Sequence, residues 1–348
     1  MNQKVSGKTD TRYLNLLNVL ACLAVVSMHT NNCLFRFSAT QSYWRSANTI
    51  VAVCYFAVPV FFMITGATLM EYSDRYSTWE FFRRRIQKTV IPFLVWSVLG
   101  ALFSDCVLGK GELSAGGGHY WYDAIVNTSA VSYYWFFTSL FCVYLTMPLL
   151  SAVSKEKRKA VFTYLAVAGY LLNALLPFLN ALLELELTLP YTLYGVGGDL
   201  LFVVVGYLLT HYDVPPKWRR VLYAVSVAAM LVLIFGSYHW SMKAGSVQRL
   251  FKDRAISIPY AAGILLFCKT HGARIMDSFV GKIVNFLKDY TFPIYLLQWF
   301  VIQSLKTFLP IDETSLLWRL GGVVVVVAIC VGVTALLRKI PGVRRILP

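Results

Sequence analysis

A histidine and a run of three arginines are the residues of this sequence best suited to chemistry. His29 stands near the end of the apolar segment 13–33, and an imidazole can act as a base or a nucleophile near neutral pH. Arg83, Arg84 and Arg85 follow the second apolar segment, and guanidinium groups bind phosphate oxygens through paired hydrogen bonds. These types indicate either a phosphate-bearing ligand or anionic lipid head groups at the arginines, and proton or group transfer at the histidine.

The depth of His29 in its segment favours a functional role. It lies 16 residues after Tyr13 (29 − 13), which is roughly 24 Å along a helix, and the hydrocarbon core of a bilayer is about 30 Å thick. An ionisable residue at such depth is functional by default. The alternative is a neutral histidine at the interface that is hydrogen-bonded to a neighbouring helix, and position alone leaves both interpretations open.

The composition predicts an all-α, polytopic integral membrane protein. Of the 348 residues, 57% are hydrophobic and 14% are charged, whereas soluble proteins carry about 25% charged residues. The first segment lacks a signal-peptide cleavage site and is expected to be retained. We predict a single transmembrane domain, 1–348, with no separate soluble domain and with about ten spans: 13–33, 48–70, 89–108, 134–153, 160–178, 191–210, 221–237, 255–270, 289–309 and 316–337.

The distribution of charge predicts the orientation of these spans. The net charge is +15, and alternation of the segments places most Lys and Arg residues on one side, in 1–12, 71–88, 154–159, 211–220, 271–288 and 338–348. Basic residues near helix ends favour the cytoplasm. Both termini are therefore predicted to be cytoplasmic in a multi-pass protein of the cell membrane, with His29 towards the outer side. The lipid bilayer accounts for the charge, and no nucleic-acid partner is predicted.

Other polar residues at membrane depth are candidates for a supporting role. Asp199 follows the glycine-rich stretch 195–198, and a buried carboxylate must pair, become neutral or face water. The glycines either allow close helix packing or break a helix beside a cavity. Asn18, Thr65 and Gln298 are expected to hydrogen-bond between helices. The seven cysteines are scattered without a Cys/His cluster, so we predict neither a metal site nor a disulfide framework.

Arg83 and Arg85 can bind one ligand together only if the backbone that joins them has a particular conformation. Residues i and i+2 point about 200° apart on a helix and the same way only in extended backbone. For Arg83 and Arg85 to converge on one ligand, the predicted loop 71–88 must be non-helical at this point. The longest loop, about 109–133, is expected to be a polar connector at the surface.

Several short motifs, in order along the chain, resemble one known family. They are Arg12-x-x-Asn15-x-x-Asn18…Val25-Val26-x-x-His29, Val60-Phe61-Phe62-Met63-Ile64-Thr65-Gly66, Arg83-Arg84-Arg85…Ile91-Pro92, Trp135-Phe136-Phe137…Tyr144-Leu145…Pro148-Leu149 and Ile294-Tyr295-Leu296-Leu297. Together they resemble the membrane-bound acyltransferase 3 family from the first segment to the last. Each motif is short, and their joint order makes the resemblance specific.

The resemblance implies ten transmembrane helices and an O-acyltransferase. The donor would be acyl-CoA, most often acetyl-CoA, used from the cytoplasm as a substrate and not as a bound cofactor. The acceptor would be a hydroxyl of a cell-envelope or exported glycan. His29 matches the essential histidine of the family, and Arg83 and Arg85 match its paired arginines. The chain departs from many members at Asn15 and Asn18, where they have aspartate and arginine, and at Gln298, where they often have histidine.

These expectations combine into a mechanism. Arg83 and Arg85, with Arg84 beside them, would hold the phosphates of CoA, and the pantetheine arm would reach His29. His29 would act as the general base for the acceptor hydroxyl or would carry the acyl group transiently, and Asp199 would orient its ring. The residues expected to support this cavity are Asn18, Thr65, Trp135, Tyr295 and Gln298.

Two other classes of protein remain open at this stage. One is an exporter or flippase for a glycan or small solute, with His29 and Asp199 as a proton relay. The other is a sensing module of the envelope. The identity of the glycan, the length of the acyl group and the oligomeric state are not specified by the sequence.

Overall fold

The structure is a computed structural model that describes residues 11–185, 192–248 and 254–348. All regular structure in these ranges is helical, and it comprises fifteen α-helices with short 3₁₀ or π-helical segments between some of them. The helices are α1 (Arg12–Thr30), α2 (Ser42–Cys54), α3 (Ala57–Leu69), α4 (Thr78–Arg85), α5 (Ile91–Cys106), α6 (Glu112–Ile125), α7 (Trp135–Ser151), α8 (Lys155–Tyr170), α9 (Leu176–Leu182), α10 (Leu200–His211), α11 (Pro216–Ala244), α12 (Arg254–Met276), α13 (Phe279–Leu287), α14 (Thr291–Phe308) and α15 (Leu316–Leu337).

Seven helical runs in the described residues are long and apolar enough to cross a membrane. They are Arg12–Thr30, Ser42–Asp74, Thr78–Cys106, Ser132–Ser151, Lys155–Leu182, Pro216–Ala244 and Leu316–Leu337. The remaining three predicted spans correspond to α10, α12 and α14. Of these, α10 is an apolar helix of only 12 residues, which is about 18 Å long.

Three sequence-based boundaries are wrong. The described part of the predicted span 191–210 is α-helical only from Leu200 onwards and has a short 3₁₀ turn at Tyr194–Val196, because glycines at 195, 197 and 198 precede the helix and Gly198 has a left-handed φ of 60°. The predicted connector 109–133 contains α6. The predicted loop 71–88 contains α4, which is capped by the Ser77 hydroxyl and continues through the π-helical segment Ile86–Val90 into α5.

Helix α1 lies at the centre of the bundle. It packs against α2, α3, α12, α14 and α15, and residues such as Leu17 and Val26 are completely buried. Apolar residues occur on all sides of α1, which is the pattern of a helix surrounded by others. A polar side chain on this helix, such as that of His29, is therefore surrounded by protein.

Helices α3 and α10 touch through their backbones. A Cβ atom on Gly66 would lie 2.0 Å from the carbonyl oxygen of Val203, and one on Gly206 would lie 2.3 Å from the backbone of Met63. Only glycine permits such an approach, as is typical of close helix pairs in membranes. The final glycine of the 60–66 motif therefore has a packing role.

Charged residues hold together one end of the bundle, which we call the basic end. Arg158, buried at the start of α8, donates to both carboxylate oxygens of Asp74 and to Glu71, and Tyr207 of α10 also donates to Glu71. Arg12, at the start of α1, pairs with Asp277 after α12. The opposite end of α1, which contains His29, defines the His29 end.

Candidate active site

A cavity of about 480 Å³ lies at the His29 end. His29 is half-buried in its wall, together with residues from the ends of α1, α2, α3, α7 and α14. The lining residues are Val25, Met28, His29, Asn32, Leu34, Phe35, Val51, Tyr55, Val58, Phe61, Ser132, Tyr133, Trp135, Phe136 and Tyr295. Aromatic and aliphatic side chains dominate, and a small number of polar groups face them, as is common in small-molecule sites.

A hydrogen bond to Gln298 sets the state of the His29 ring. Nδ1 of His29 lies 3.0 Å from Oε1 of Gln298, and the Gln298 Nε2 group donates to the Tyr295 carbonyl at 3.4 Å. With the amide placed in this way, its oxygen accepts from the histidine, so the proton of a neutral His29 is on Nδ1. Nε2 has no hydrogen-bond partner among the described residues and carries the free lone pair.

The His29 ring is also held by Tyr133. The two rings are stacked with centroids 3.5 Å apart and planes 8° from parallel. The Tyr133 carbonyl accepts a hydrogen bond from the hydroxyl of Tyr295, which ties this stack to α14. The imidazole is thus fixed by one edge contact and one face contact, and its orientation is preorganised.

A buried arginine secures the end of α1 just beyond His29. Arg319 of α15 is 2% exposed and donates from Nη1 to the Ser46 hydroxyl at 2.8 Å, with longer contacts to the Tyr43 carbonyl and the Asn31 side chain. The Thr30 hydroxyl donates to the Arg319 backbone carbonyl. A cation at the C-terminal end of a helix also complements the helix dipole.

An ion-pair link joins the two loops at the His29 end. Glu313 accepts from Arg36 at 2.6 Å and lies 2.9 Å from the Lys306 ammonium. Burial raises the pKa of Glu313, but the hydrogen bonds and charges of Lys306 and Arg36 outweigh it and hold the pKa below its usual value. Arg36 directly follows Phe35, which lines the cavity, so this link restrains the wall of the site.

The three arginines lie on a helix and do not converge. Arg83 and Arg84 are exposed and share Glu80, at 3.5 Å and 2.8 Å respectively. Arg85 points differently: its guanidinium carbon lies 5.8 Å from the ring centroids of both Phe81 and Tyr144. Its buried Nε has no hydrogen-bond partner among the described residues. The non-helical backbone that convergence would require is absent, and Arg85 alone is directed into the bundle.

One face of α7 connects Arg85 with the His29 site. Tyr144, beneath Arg85, is followed towards the His29 end by Phe141, Phe137 and Tyr134, which share a face because they are three or four residues apart. Phe137 is fully buried and contacts Tyr134, Phe141 and Tyr295. This aromatic face fills the space between the cavity and Arg85.

Asp199 is not part of the His29 site. It lines a second cavity of about 530 Å³ and pairs with Arg254, whose Nη2 lies 3.5 Å from Oδ1. The carboxylate predicted to orient His29 therefore has another partner, and Gln298 occupies the orienting position. Sequence reasoning could not make this distinction because both residues lie at similar predicted depths.

The five predicted supporting residues divide into two groups. Trp135 and Tyr295 line the cavity, and Gln298 binds the histidine. Asn18 instead donates to Thr291 at the base of α14, and Thr65 donates to the carbonyl of Phe61 within its own helix. Neither lines the cavity.

Two residues that position His29 were missed by the sequence analysis. Tyr133 has no role in the sequence analysis, although it stands two residues before the Trp135-Phe136-Phe137 motif. Arg319 gave a usable signal, since an arginine inside the apolar segment 316–337 is costly unless it has partners. Among the described residues, no group of three or more His, Cys, Asp or Glu side chains is placed to hold a metal ion.

The apolar spans and the enclosed histidine define a multi-pass membrane protein with an internal polar site. A family profile described as an acyltransferase domain matches residues 11–335. The chain therefore belongs to the acyltransferase 3 family and is a membrane acyltransferase. Neither a curated protein nor a solved structure matches it significantly.

Proposed function

We propose that this protein is an O-acyltransferase of the cell membrane. It would move an acyl group, most simply acetyl, from cytoplasmic acyl-CoA to a hydroxyl of an extracytoplasmic or exported glycan. The observation that carries the proposal is the fixed His29 ring, which presents an unpartnered Nε2 at a cavity. Family membership supports the reaction class.

Arg85 is the proposed anchor for the CoA phosphates. It is the arginine of the triplet that is directed into the bundle, and its Nε lacks a hydrogen-bond partner in the part of the chain that the structure describes. From Tyr144, beneath Arg85, to Tyr133, stacked on His29, α7 and the 3₁₀ turn before it rise by eleven residues (144 − 133), or roughly 16 Å. The pantetheine arm has about thirteen bonds between phosphorus and sulfur, which spans roughly 16 Å when extended. An arm anchored at Arg85 can therefore place a thioester beside His29.

The route between the two sites is occupied by the aromatic face of α7 in this structure. Donor binding therefore requires Phe137 and its neighbours to change rotamer. When the donor is absent, these rings keep water out of the route. The positively charged helix face with Arg83 and Arg84 attracts the polyanionic donor to this end of the protein.

At the other end, His29 removes the proton from the acceptor hydroxyl. Nε2 takes this proton as the acceptor oxygen attacks the thioester carbonyl, and the C–S bond breaks. The CoA thiolate leaves and takes the proton from His29. General-base catalysis of this kind contributes roughly 10²–10⁴ in rate. In the alternative mechanism, Nε2 of His29 carries the acyl group transiently. Trapping of acylated His29 after an acid quench would favour this mechanism over direct transfer.

The cavity supports a glycan acceptor. The faces of Tyr55, Tyr133 and Trp135 can stack against the apolar faces of sugar rings. Asn32 and Ser132 supply polar groups at the same wall. The exporter alternative loses its proton relay, because Asp199 lines a different cavity and Gln298 cannot ionise.

The test is transfer of labelled acetyl groups by the purified protein in lipid nanodiscs. Labelled acetyl-CoA and an envelope glycan extract are mixed with wild type, His29→Ala or His271→Ala. His271 is an exposed histidine near the end of α12 and serves as the matched control. We expect label in glycan with wild type and His271→Ala, and at least a 10²-fold loss with His29→Ala.

Undiminished transfer by His29→Ala would reject the base assignment. Glycan movement across the membrane without consumption of acetyl-CoA would reject the enzyme and favour an exporter.

A further inference from the structure

The second cavity, which contains Asp199, has a distinct composition. It lies between α7 and the segment before α10, and its lining residues are Thr138, Ser139, Cys142, Val143, Thr146, Leu149, Gly195, Gly197, Gly198, Asp199 and Leu200. Hydroxyl groups, a thiol and a carboxylate thus face a glycine-rich backbone. None of them takes part in the proposed chemistry at His29.

The depth of this cavity is set by the short helix α10. Its His211 end lies at the basic end, 3.6 Å from Glu71, and its 12 residues rise about 18 Å. Because the hydrocarbon core is about 30 Å thick, the backbone 195–198, which is the end of a 3₁₀ turn followed by an irregular stretch, lies within the membrane. Such backbone is tolerated at membrane depth only where it is buried in protein or lines a water-filled cavity. Cβ atoms built on Gly195, Gly197 and Gly198 meet nothing within 4 Å, so these residues border open space.

The segment is also held in place by a specific contact. Asn173, in the π-helical segment Leu171–Leu175, donates to the carbonyls of Leu193 and Val196 and accepts from the Leu193 amide. A single side chain thus satisfies three backbone groups of the segment, which fixes its shape beside the cavity. The wall of the cavity is therefore defined by the structure.

The cavity is adjacent to the catalytic one along α7. Trp135, in the wall of the His29 cavity, heads the helix face that continues as Ser139, Cys142 and Thr146 in the second cavity. The step from Trp135 to Ser139 is one helical turn, about 6 Å. The aromatic face that leads to Arg85 is a different face of α7, so the second cavity is separate from the proposed donor route.

We propose that the second cavity is a hydrated vestibule that binds the sugar unit next to the one acylated. This inference rests on the proposed function. Sugar hydroxyls can donate to the Asp199 carboxylate, which lines the cavity and whose charge is balanced by Arg254 at 3.5 Å. The hydroxyls of Thr138 and Ser139 add further sites, and Trp135 supplies an aromatic surface between the two units. The acceptor is therefore a chain of at least two sugars.

Cysteine accessibility tests the hydration. Cys142 is an exposed thiol of the vestibule, whereas Val324 of α15 is 71% exposed and lines neither cavity. Maleimides react with thiolates, which form in water and not in lipid. Membrane vesicles are treated with an impermeant maleimide from the His29 side, using Cys106→Ser and Cys106→Ser/Cys142→Ser/Val324→Cys variants. We expect Cys142 to be labelled at least tenfold faster than the thiol introduced at position 324, and equal rates would overturn the proposal.

Protection of Cys142 tests the ligand. The probes are oligosaccharides released by mild acid from the cell envelope and separated by length. We expect chains of two or more units to slow labelling at least fivefold and the single unit to have little effect. Labelling that no oligosaccharide slows would leave a hydrated pocket and reject the sugar subsite. These readouts need no acyl transfer, so they separate failure of this inference from failure of the proposed function.

A steric block gives an independent test. Gly195→Leu places a side chain in the vestibule without a clash, and Gly332→Leu adds the same side chain in α15, where a Cβ also meets nothing within 4 Å. We expect Gly195→Leu to raise the KM of the longer oligosaccharides about tenfold more than that of the single sugar. Equal effects on both acceptors, or the same effect from Gly332→Leu, would overturn the proposal.

Discussion

The arginine triplet offers the sharpest test of the donor site. The family motif pairs Arg83 with Arg85, but the helix places them about 200° apart, and only Arg85 is directed towards the interior. We therefore expect Arg85→Ala to weaken acetyl-CoA binding far more than Arg83→Ala. Arg84→Ala is the matched control, because it removes the same charge from an exposed position.

The expected changes in the Kd of acetyl-CoA follow from the environments of the three arginines. Hydrogen bonds from a charged group to phosphate contribute about 1.5–3 kcal/mol, so the loss of Arg85 should raise the Kd of acetyl-CoA roughly 10–150-fold. Arg83 is 60% exposed and shares Glu80 with Arg84. An exposed ion pair contributes about 0–1 kcal/mol, so either of these substitutions should change Kd by less than about fivefold.

Calorimetric titration of acetyl-CoA into the protein in nanodiscs measures these constants. Thermal unfolding of each variant checks that the fold persists, and Arg85→Lys should restore part of the affinity because it retains the charge but loses the fork geometry. Equal losses for Arg83→Ala and Arg85→Ala would refute the argument. They would mean that the α4 helix rearranges so that both guanidinium groups reach the donor.

Three further predictions concern the opposite end and the packing. Gln298→Leu removes the acceptor that fixes the His29 proton on Nδ1, and kcat should fall about 5–10-fold; an unchanged kcat would show that the tautomer needs no fixing. Gly66→Ala drives a methyl group into the backbone of Val203, so the Tm in detergent should fall with a cost of about 3 kcal/mol, and an unaltered Tm would contradict the close approach. The pKa of Glu313 is held below its usual value. The ion pairs of Glu313 with Arg36 and Lys306 therefore stabilise the protein above the ordinary glutamate pKa, and this stabilisation is lost as pH falls through the folded-state pKa. The wild-type Tm should fall on acidification to about pH 3, whereas the Tm of Glu313→Gln should lack this part of the fall.

Much of the architecture could be predicted because a membrane imposes simple rules. Long apolar segments must be helical, so nine of the ten predicted segments correspond to helices close to the predicted boundaries. The exception, 191–210, fails because apolarity reports burial and not backbone conformation, and the glycines before Asp199 permit a path that is not α-helical.

The sequence predicts several residues of the site, but it does not predict the contacts between them. Depth and family position indicated His29, and depth also indicated Gln298 as a residue that supports the cavity. Depth could not distinguish Asp199 from Gln298 as the partner of His29, because that depends on how α10 and α14 are arranged around α1. No pattern of charge or hydropathy in the sequence indicates that the Tyr133 ring stacks on the His29 ring.

The hydrogen bond between His29 and the Gln298 amide also bears on whether acyl transfer is coupled to proton movement across the membrane. Gln298 cannot take up a proton at physiological pH, so in the proposed mechanism a proton on Nε2 has no onward path through this contact and returns to the departing thiolate. Each turnover would then begin and end with the same charge on either side of the bilayer. We expect acyl transfer in sealed vesicles to proceed at the same rate with or without a membrane potential, and to be insensitive to protonophores.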